Sequence, residues 1–430
     1  MAELNIILIG TCDTKLSELL YLRSQILQHP GTNVAFIDVG RNPVQNSGIS
    51  VTQHDLIHKY GSVLPSNARE LSELPRGELI KHMSACATAC VEELFASESY
   101  HAIISAGGSG GTALASAAMR DALPIGFPKL IVSTVASGDT GPVVGETDIT
   151  MMYSVVDVAG LNSLLRQILS NAAGAIVGMA RIYLTEHQQN ESGAIQQLGQ
   201  QKKRVGITMF GVTTPCVDAI RSHLESNYNI EAYVFHATGH GGRAMERLIA
   251  SGHLDAVLDL TTTEICDYLM DGNMSAGPSR LEAAAKAGIP NIISLGATDM
   301  VNFGPKATVP EKYAERLLFE HNPTVTLMRT SSSECASIGQ FIVDKLLTFA
   351  AKKESVQVWM PEGGVSMIST PGGPFADAEA DKSLFEAVEK GLQESGIRVI
   401  SDERAINEEG FAIDIAEALV NVMGLRRNLG

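Results

Sequence analysis

The residues best suited to chemistry in this sequence are glycines and hydroxyls at the ends of apolar runs. The stretch Ala106-Gly107-Gly108-Ser109-Gly110-Gly111-Thr112-Ala113 follows one such run and opens onto a string of small residues. Glycine turns tightly and lets a ligand reach main-chain N–H groups with no Cβ in the way. A helix starting there adds a partial positive charge that favours an anion. Gly108-x-Gly110-x-x-Ala113 fits the dinucleotide-binding pattern with alanine in third place. Phosphate binding is the expectation for Gly107 to Thr112, and a structural tight turn is the competing reading.

A second match is Gly239-His240-Gly241-Gly242-Arg243-Ala244, behind an apolar run ending at His236. Asp259 follows at about the separation of a ribose-binding acid. Gly239, Gly241 and Gly242 are therefore phosphate or substrate candidates, with a plain turn equally open. His236 and Glu264 are weak acid–base candidates. Other polar clusters close other apolar runs: Thr11-Cys12-Asp13-Thr14-Lys15, Ser137-Gly138-Asp139-Thr140, Gly211-Val212-Thr213-Thr214 and Thr261-Thr262-Thr263. Lys15 is a candidate cation for phosphates, and Asp13 either joins it or caps the helix that follows. Asp139 either holds Mg²⁺ through water or closes an Asx-turn. There is no GxxxxG followed by Lys-Ser or Lys-Thr, so a phosphate chain needs backbone amides and hydroxyls instead.

These clusters share a position because of the elements that carry them. Short apolar runs alternate with helix-length amphipathic stretches, the βαβ rhythm of parallel sheets. Strands are expected at residues 5–9, 34–39, 101–105 and 129–133, with helices at 15–28, 78–96 and 161–179. Residues 42–77 read as an irregular polar excursion, and 188–201 as a connector. The rhythm restarts with strands at 204–210, 232–236, 256–260 and 291–294, then 325–329, 356–360 and 397–401. The fold expected is α/β: two Rossmann-like subdomains, 1–195 and 196–430, each a parallel sheet flanked by helices. In such sheets ligands bind outside the strand C-terminal ends, where nearly every polar cluster here lies.

Composition narrows the function classes. The formal charge is −16 and aromatics are 5%, with only Lys202-Lys203-Arg204 as a short basic run. A broad nucleic-acid footprint is not expected. No signal peptide or membrane-length apolar run is read, so a cytoplasmic protein with no membrane partner is expected. Cys86 and Cys90 share a helix face, but no partner pair has zinc spacing, and buried thiols are the expectation.

Several strings resemble one family. They are Gly10-Thr11-x-Asp13-Thr14-Lys15, the glycine loop at 107–112, and Val132-Ser133-Thr134-Val135-Ala136-Ser137-Gly138-Asp139. To these add Ser154-Val155-Val156-Asp157-Val158-Ala159-Gly160-Leu161-Asn162, Thr208-Met209-Phe210-Gly211-Val212-Thr213-Thr214, Phe235-His236-Ala237-Thr238-Gly239, Leu258-Asp259-x-Thr261-Thr262-Thr263-Glu264 and Asp299-Met300-Val301-Asn302-Phe303. Together they resemble the Tm-one-like ATP-binding family over essentially the whole chain. The resemblance implies two Rossmann-like subdomains, ATP with Mg²⁺ as ligand and a homodimer, but no established reaction. The family's plant member carries a further TIM-barrel domain; none is expected within this sequence. Beside a nucleotide-binding protein, two readings stay open: a two-lobed small-molecule sensor or interaction module, with a second small ligand, and an NAD-dependent oxidoreductase.

Overall fold

The computed structural model describes residues 3–61, 71–197 and 202–428. The chain divides into two compact units, Met1–Gln197 and Leu198–Gly430.

The first unit runs β1 (Leu4–Gly10), α1 (Cys12–Leu27), β2 (Thr32–Asp38), α2 (Gln53–Tyr60), α3 (Arg76–Ala96), β3 (Ala102–Gly107), α4 (Ser109–Ala122), β4 (Lys129–Ser133), α5 (Gly141–Val144), β5 (Thr150–Tyr153) and α6 (Ser163–Gln197). The strand order is β2-β1-β3-β4-β5, and every pair is parallel. Alternation in β1 builds both layers. Leu4, Ile6 and Leu8 pack with Leu19 and Leu22 of α1 and Leu165 and Leu169 of α6. Ile7 and Ile9 pack on the other face with Met83, Cys86 and Cys90 of α3 and Leu114 and Met119 of α4. A sheet buried on both faces needs such near-continuous apolar strands.

The second unit runs β6 (Lys203–Met209), α7 (Thr214–Asn227), β7 (Ile230–His236), α8 (His240–Ala250), β8 (Ala256–Thr261), α9 (Thr263–Leu269), α10 (Glu282–Ala287), β9 (Asn291–Gly296), β10 (Met300–Phe303), β11 (Leu318–Asn322), β12 (Val325–Arg329), α11 (Ser332–Phe349), β13 (Val356–Pro361), α12 (Ala378–Leu392), β14 (Arg398–Asp402) and α13 (Glu409–Met423). Its main sheet, β14-β13-β9-β8-β6-β7, is parallel and repeats the first unit's order around its opening strand.

Several expectations need correcting. The strand at 325–329 belongs to a separate antiparallel sheet, β10-β12-β11. The excursion at 42–77 holds α2, whose Thr52 and Asp55 form a capping box, while 62–70 lie outside the described residues. α6 continues through the supposed connector to Gln197. Its Ser163–Gln188 stretch is long and apolar enough to cross a membrane by length and composition, contrary to the sequence reading. Its Leu165, Leu169, Ala172, Ile176 and Ala180 nevertheless pack into the core on the sheet.

The β3–α4 turn is pinned from below. Thr112 in the first turn of α4 is fully buried, with its hydroxyl 2.7 Å from that of Ser133 at the end of β4. The near-isosteric change Thr112→Val is expected to lower unfolding free energy by about 1 kcal/mol, and Thr112→Ser to recover most of it. Urea denaturation reads both; equal stability of all three proteins would show that the hydroxyl pair is not what holds the turn.

Candidate functional site

The order β2-β1-β3-β4-β5 reverses direction between β1 and β3, and such a switch point leaves a crevice at the strand ends. A cavity of about 840 Å³ lies there. Its rim comes from the turn after every strand of the sheet. Thr11, Asp13, Thr14 and Lys15 follow β1; Val39, Arg41 and Asn42 follow β2; Gly108, Ser109, Gly110 and Gly111 follow β3; Thr134 follows β4; and Tyr153, Val155, Val156 and Asp157 close β5. Arg76, Leu79, Ile80 and Met83 of α3, with Leu114 of α4, give it a partly apolar wall.

The floor is tied by internal carboxylates. Asp38, at the end of β2, accepts from the Cys12 amide at 3.1 Å and the Gly40 amide at 2.9 Å. Burial pushes the Asp38 carboxyl up, although both amides pull the other way. Burial, and then the Asp38 charge, push the Cys12 thiol far up. Asp13 accepts from the amides of Arg41 and Asn42 at 3.0 and 3.1 Å, so it fastens the β2 loop and does not cap its own helix. α1 breaks helical geometry at Lys15, which lines the cavity one turn past Thr11.

The glycines of the two loops differ in what requires them. Gly239 has φ +88°, a Cβ on Gly241 would lie 1.9 Å from the His236 carbonyl oxygen, and one on Gly242 would lie 1.9 Å from Glu264 Oε2. That loop needs glycine for its own backbone and packing. Gly108 and Gly111 have no positive φ. The nearest protein atoms to a Cβ there are the Thr134 and Thr11 hydroxyl oxygens, both at 3.9 Å, and both residues line the cavity. Neither conformation nor internal packing excludes a side chain at those two positions. Beside them, the opening turn of α4 presents N–H groups that a helix cannot satisfy within itself.

In the second unit two amides at the start of α8 are answered by a protein carboxylate. Glu264 Oε1 accepts from Gly239 N at 2.7 Å and Gly242 N at 3.0 Å, and its Oε2 from Arg280 Nε at 2.8 Å. Arg280 also holds Asp259 through both terminal nitrogens, and Thr208 donates to Asp259 at 2.7 Å. Burial works against the Arg280 charge, but Asp259, Glu264 and Glu246 outweigh it and raise its pKa. Asp259 and fully buried Glu264 are both paired with Arg280, so these acids face inward, away from the expected ribose and acid–base roles. The hydroxyls expected nearby are consumed too. Thr213 and Thr261 bond each other at 2.8 Å, Thr262 donates to the Ser294 carbonyl and Thr263 to that of Met300. Thr214 bonds back to Phe210, and exposed His236 stacks on the Phe210 ring at 5.5 Å. Gly211 stands exposed at the opening of the turn that Thr213 closes.

In the first unit, the structure brings Thr11, Asp13, Thr14, Lys15, Gly108, Ser109, Gly110 and Gly111 to one cavity. Gly107 and Thr112 sit behind it, buried. Ser137, Gly138 and Asp139 are exposed away from its lining, and Thr140 leads into α5. Asp139 accepts from Gly141 N at 2.9 Å, an Asx-turn contact. No group of three or more metal-ligating side chains occurs among the described residues. The α3 wall, Arg41 and the turn after β5 were not singled out from sequence. The Ser154–Asn162 string was the available signal for the last of these.

Two family descriptions cover nearly all of this architecture. Residues 4–185 match "Uncharacterised protein family (UPF0261) N-terminal domain" and residues 202–423 match its C-terminal domain. The chain belongs to the UPF0261 family. Among its relatives, a UPF0261 protein of Clostridium tetani is 44% identical over 97% of this chain and 98% of its own length. The "ToMV resistance protein Tm-1(GCR237)" of Solanum lycopersicum is 36% identical over 98% of this chain. The chain spans 56% of that tomato protein, so it is similar to that portion. A solved UDP-N-acetylglucosamine 2-epimerase overlaps 92% of the chain at 12% identity and a TM-score of 0.20, a likeness that carries no argument.

If Glu264 is part of the internal framework at the start of α8, Glu264→Ala leaves the Arg280 Nε and two buried amides without their acceptor, although Arg280 keeps Asp259 and Glu246. Unfolding free energy of the second unit is then expected to fall by about 3–5 kcal/mol. Chemical denaturation measures it. A loss below about 1 kcal/mol would mean that the carboxylate is not part of the internal framework.

Proposed function

We propose that the first unit is a nucleotide-binding unit that takes ATP with Mg²⁺ in the cavity at its switch point. The observation that carries this reading is the pair Gly108 and Gly111, where a missing Cβ serves neither the backbone nor the protein's own packing. A ligand pressed against the opening turn of α4 accounts for both glycines. Lys15 and Arg76 bring positive charge to the same cavity, and the Thr11 and Thr14 hydroxyls lie 3.0 Å apart on its rim. A phosphate chain answers all of these groups at once.

The residues fit Mg²⁺ as the companion of a phosphate chain rather than as a resident ion. Magnesium usually keeps waters and takes one or two carboxylates with phosphate oxygens. Asp13 and Asp157 line the cavity and Asp139 does not; Asp13 already accepts from the Arg41 and Asn42 amides, so Asp157 is the carboxylate we assign to such an ion, through water. The dinucleotide alternative loses its site, since Glu264 fills the second glycine loop.

Gly111→Ala separates a ligand role from a structural one. Alanine in the first turn of α4 is expected to leave the unliganded protein as stable, or up to about 1 kcal/mol more stable. The same change is expected to weaken ATP–Mg²⁺ binding at least about tenfold, a loss of about 1.4 kcal/mol, by placing a methyl where phosphate oxygens approach. Calorimetric titration beside thermal unfolding reads the two effects. Unchanged ATP affinity, or parallel loss of stability, would remove the basis of the proposal.

A further inference from the structure

The same cavity holds the opposite anomaly on the β5 side. Val155 has φ +63°, a left-handed conformation that a β-branched residue avoids. The Val156 amide donates to the Ser154 carbonyl at 2.6 Å, closing a three-residue γ-turn around it. γ-turns centred on positive φ are rare and strained. The turn is fixed from beneath: Ser154 is fully buried, its amide donates to the Ser133 carbonyl at 3.1 Å, and its hydroxyl to the Val156 carbonyl at 2.6 Å. The valine side chain is 56% exposed and lines the cavity beside 42% exposed Tyr153. Glycine would adopt this backbone without strain, yet a branched apolar residue is held there.

Resting on the nucleotide reading above, we infer that Val155 and Tyr153 form the nucleoside-contacting face of the cavity, and that the strained turn aims Val155 at a flat apolar ring. Register supports the placement. Gly107 pairs with Ser133 and Ser133 with Tyr153, so the turn starts in the same row as the phosphate loop, two strands away. Two strand spacings are about 10 Å, the scale that separates a base from the outer phosphates of a nucleoside triphosphate. A sugar or free phosphate leaves the exposed Tyr153 and Val155 surfaces without an apolar partner. A purine or pyrimidine ring covers them.

The test uses ATP and inorganic tripolyphosphate, each with Mg²⁺, as calorimetric probes of the full chain, with Val155→Gly and Val155→Asn as variants. Glycine and asparagine both tolerate the left-handed conformation, so either can report if the other folds poorly. Expected are an unfolding temperature equal to or above that of the unaltered protein, ATP affinity about five- to tenfold weaker, and tripolyphosphate affinity within about twofold. ATP binding that survives both substitutions, or equal loss of both probes, overturns the inference while leaving the phosphate site standing. Tripolyphosphate binding as tightly as ATP to the unaltered protein also overturns it. Failure of ATP with Mg²⁺ to bind the unaltered protein overturns the nucleotide reading itself and this inference with it.

Discussion

Every helix that follows a parallel strand must find partners for the N–H groups of its first turn, and this one requirement separates the two units. In the second unit the partner is built in. The Glu264 carboxylate bonds the amides of Gly239 and Gly242 at the start of α8, and Arg280 and Asp259 complete a buried ionic cluster around it. In the first unit the equivalent turn, at the start of α4, faces a cavity ringed by Lys15, Arg76, Thr11 and Thr14. The same strand–glycine–helix device is closed by a protein carboxylate in one case and faces an open cavity in the other.

Strand order converts that difference into a site. Placing β1 between β2 and β3 turns the chain in opposite directions on either side of the switch, so the loops after β1 and β3 part to leave a crevice. Apolar strands hold this frame rigid on both faces, and the polar work is done by loops at one edge. Asp38 and Asp13 accept from backbone amides of the β1 and β2 loops, while Lys15 and Arg76 line the cavity above them.

Much of the frame was legible in the sequence because buried parallel strands are near-continuous apolar runs. Lys129–Ser133 shows the strand boundaries that such a run can give. β5 was not legible: only four residues long and exposed or half-buried throughout at the sheet edge, it is too short to stand out as a strand. β12 looked like one more parallel strand because its apolar run says nothing about partner direction, which the chain reversal at residues 323–324 decides. The glycine loops were legible as loops but not as different loops. A glycine required by φ +88° at Gly239 and one required by nothing internal at Gly111 are the same letter, and only packing distinguishes them. Glu264 lies 25 residues from Gly239, and the end of β8 brings it there. Its acid was visible while its partner was not.

The most direct measurement of the central claim is a crystal structure of the chain grown with a non-hydrolysable ATP analogue and Mg²⁺. The account expects phosphate density against the amides of Ser109, Gly110 and Gly111, with Glu264 still bonded to Gly239 and Gly242. Density in the second unit's glycine loop with the Glu264 side chain swung away, and an empty first cavity, would contradict it.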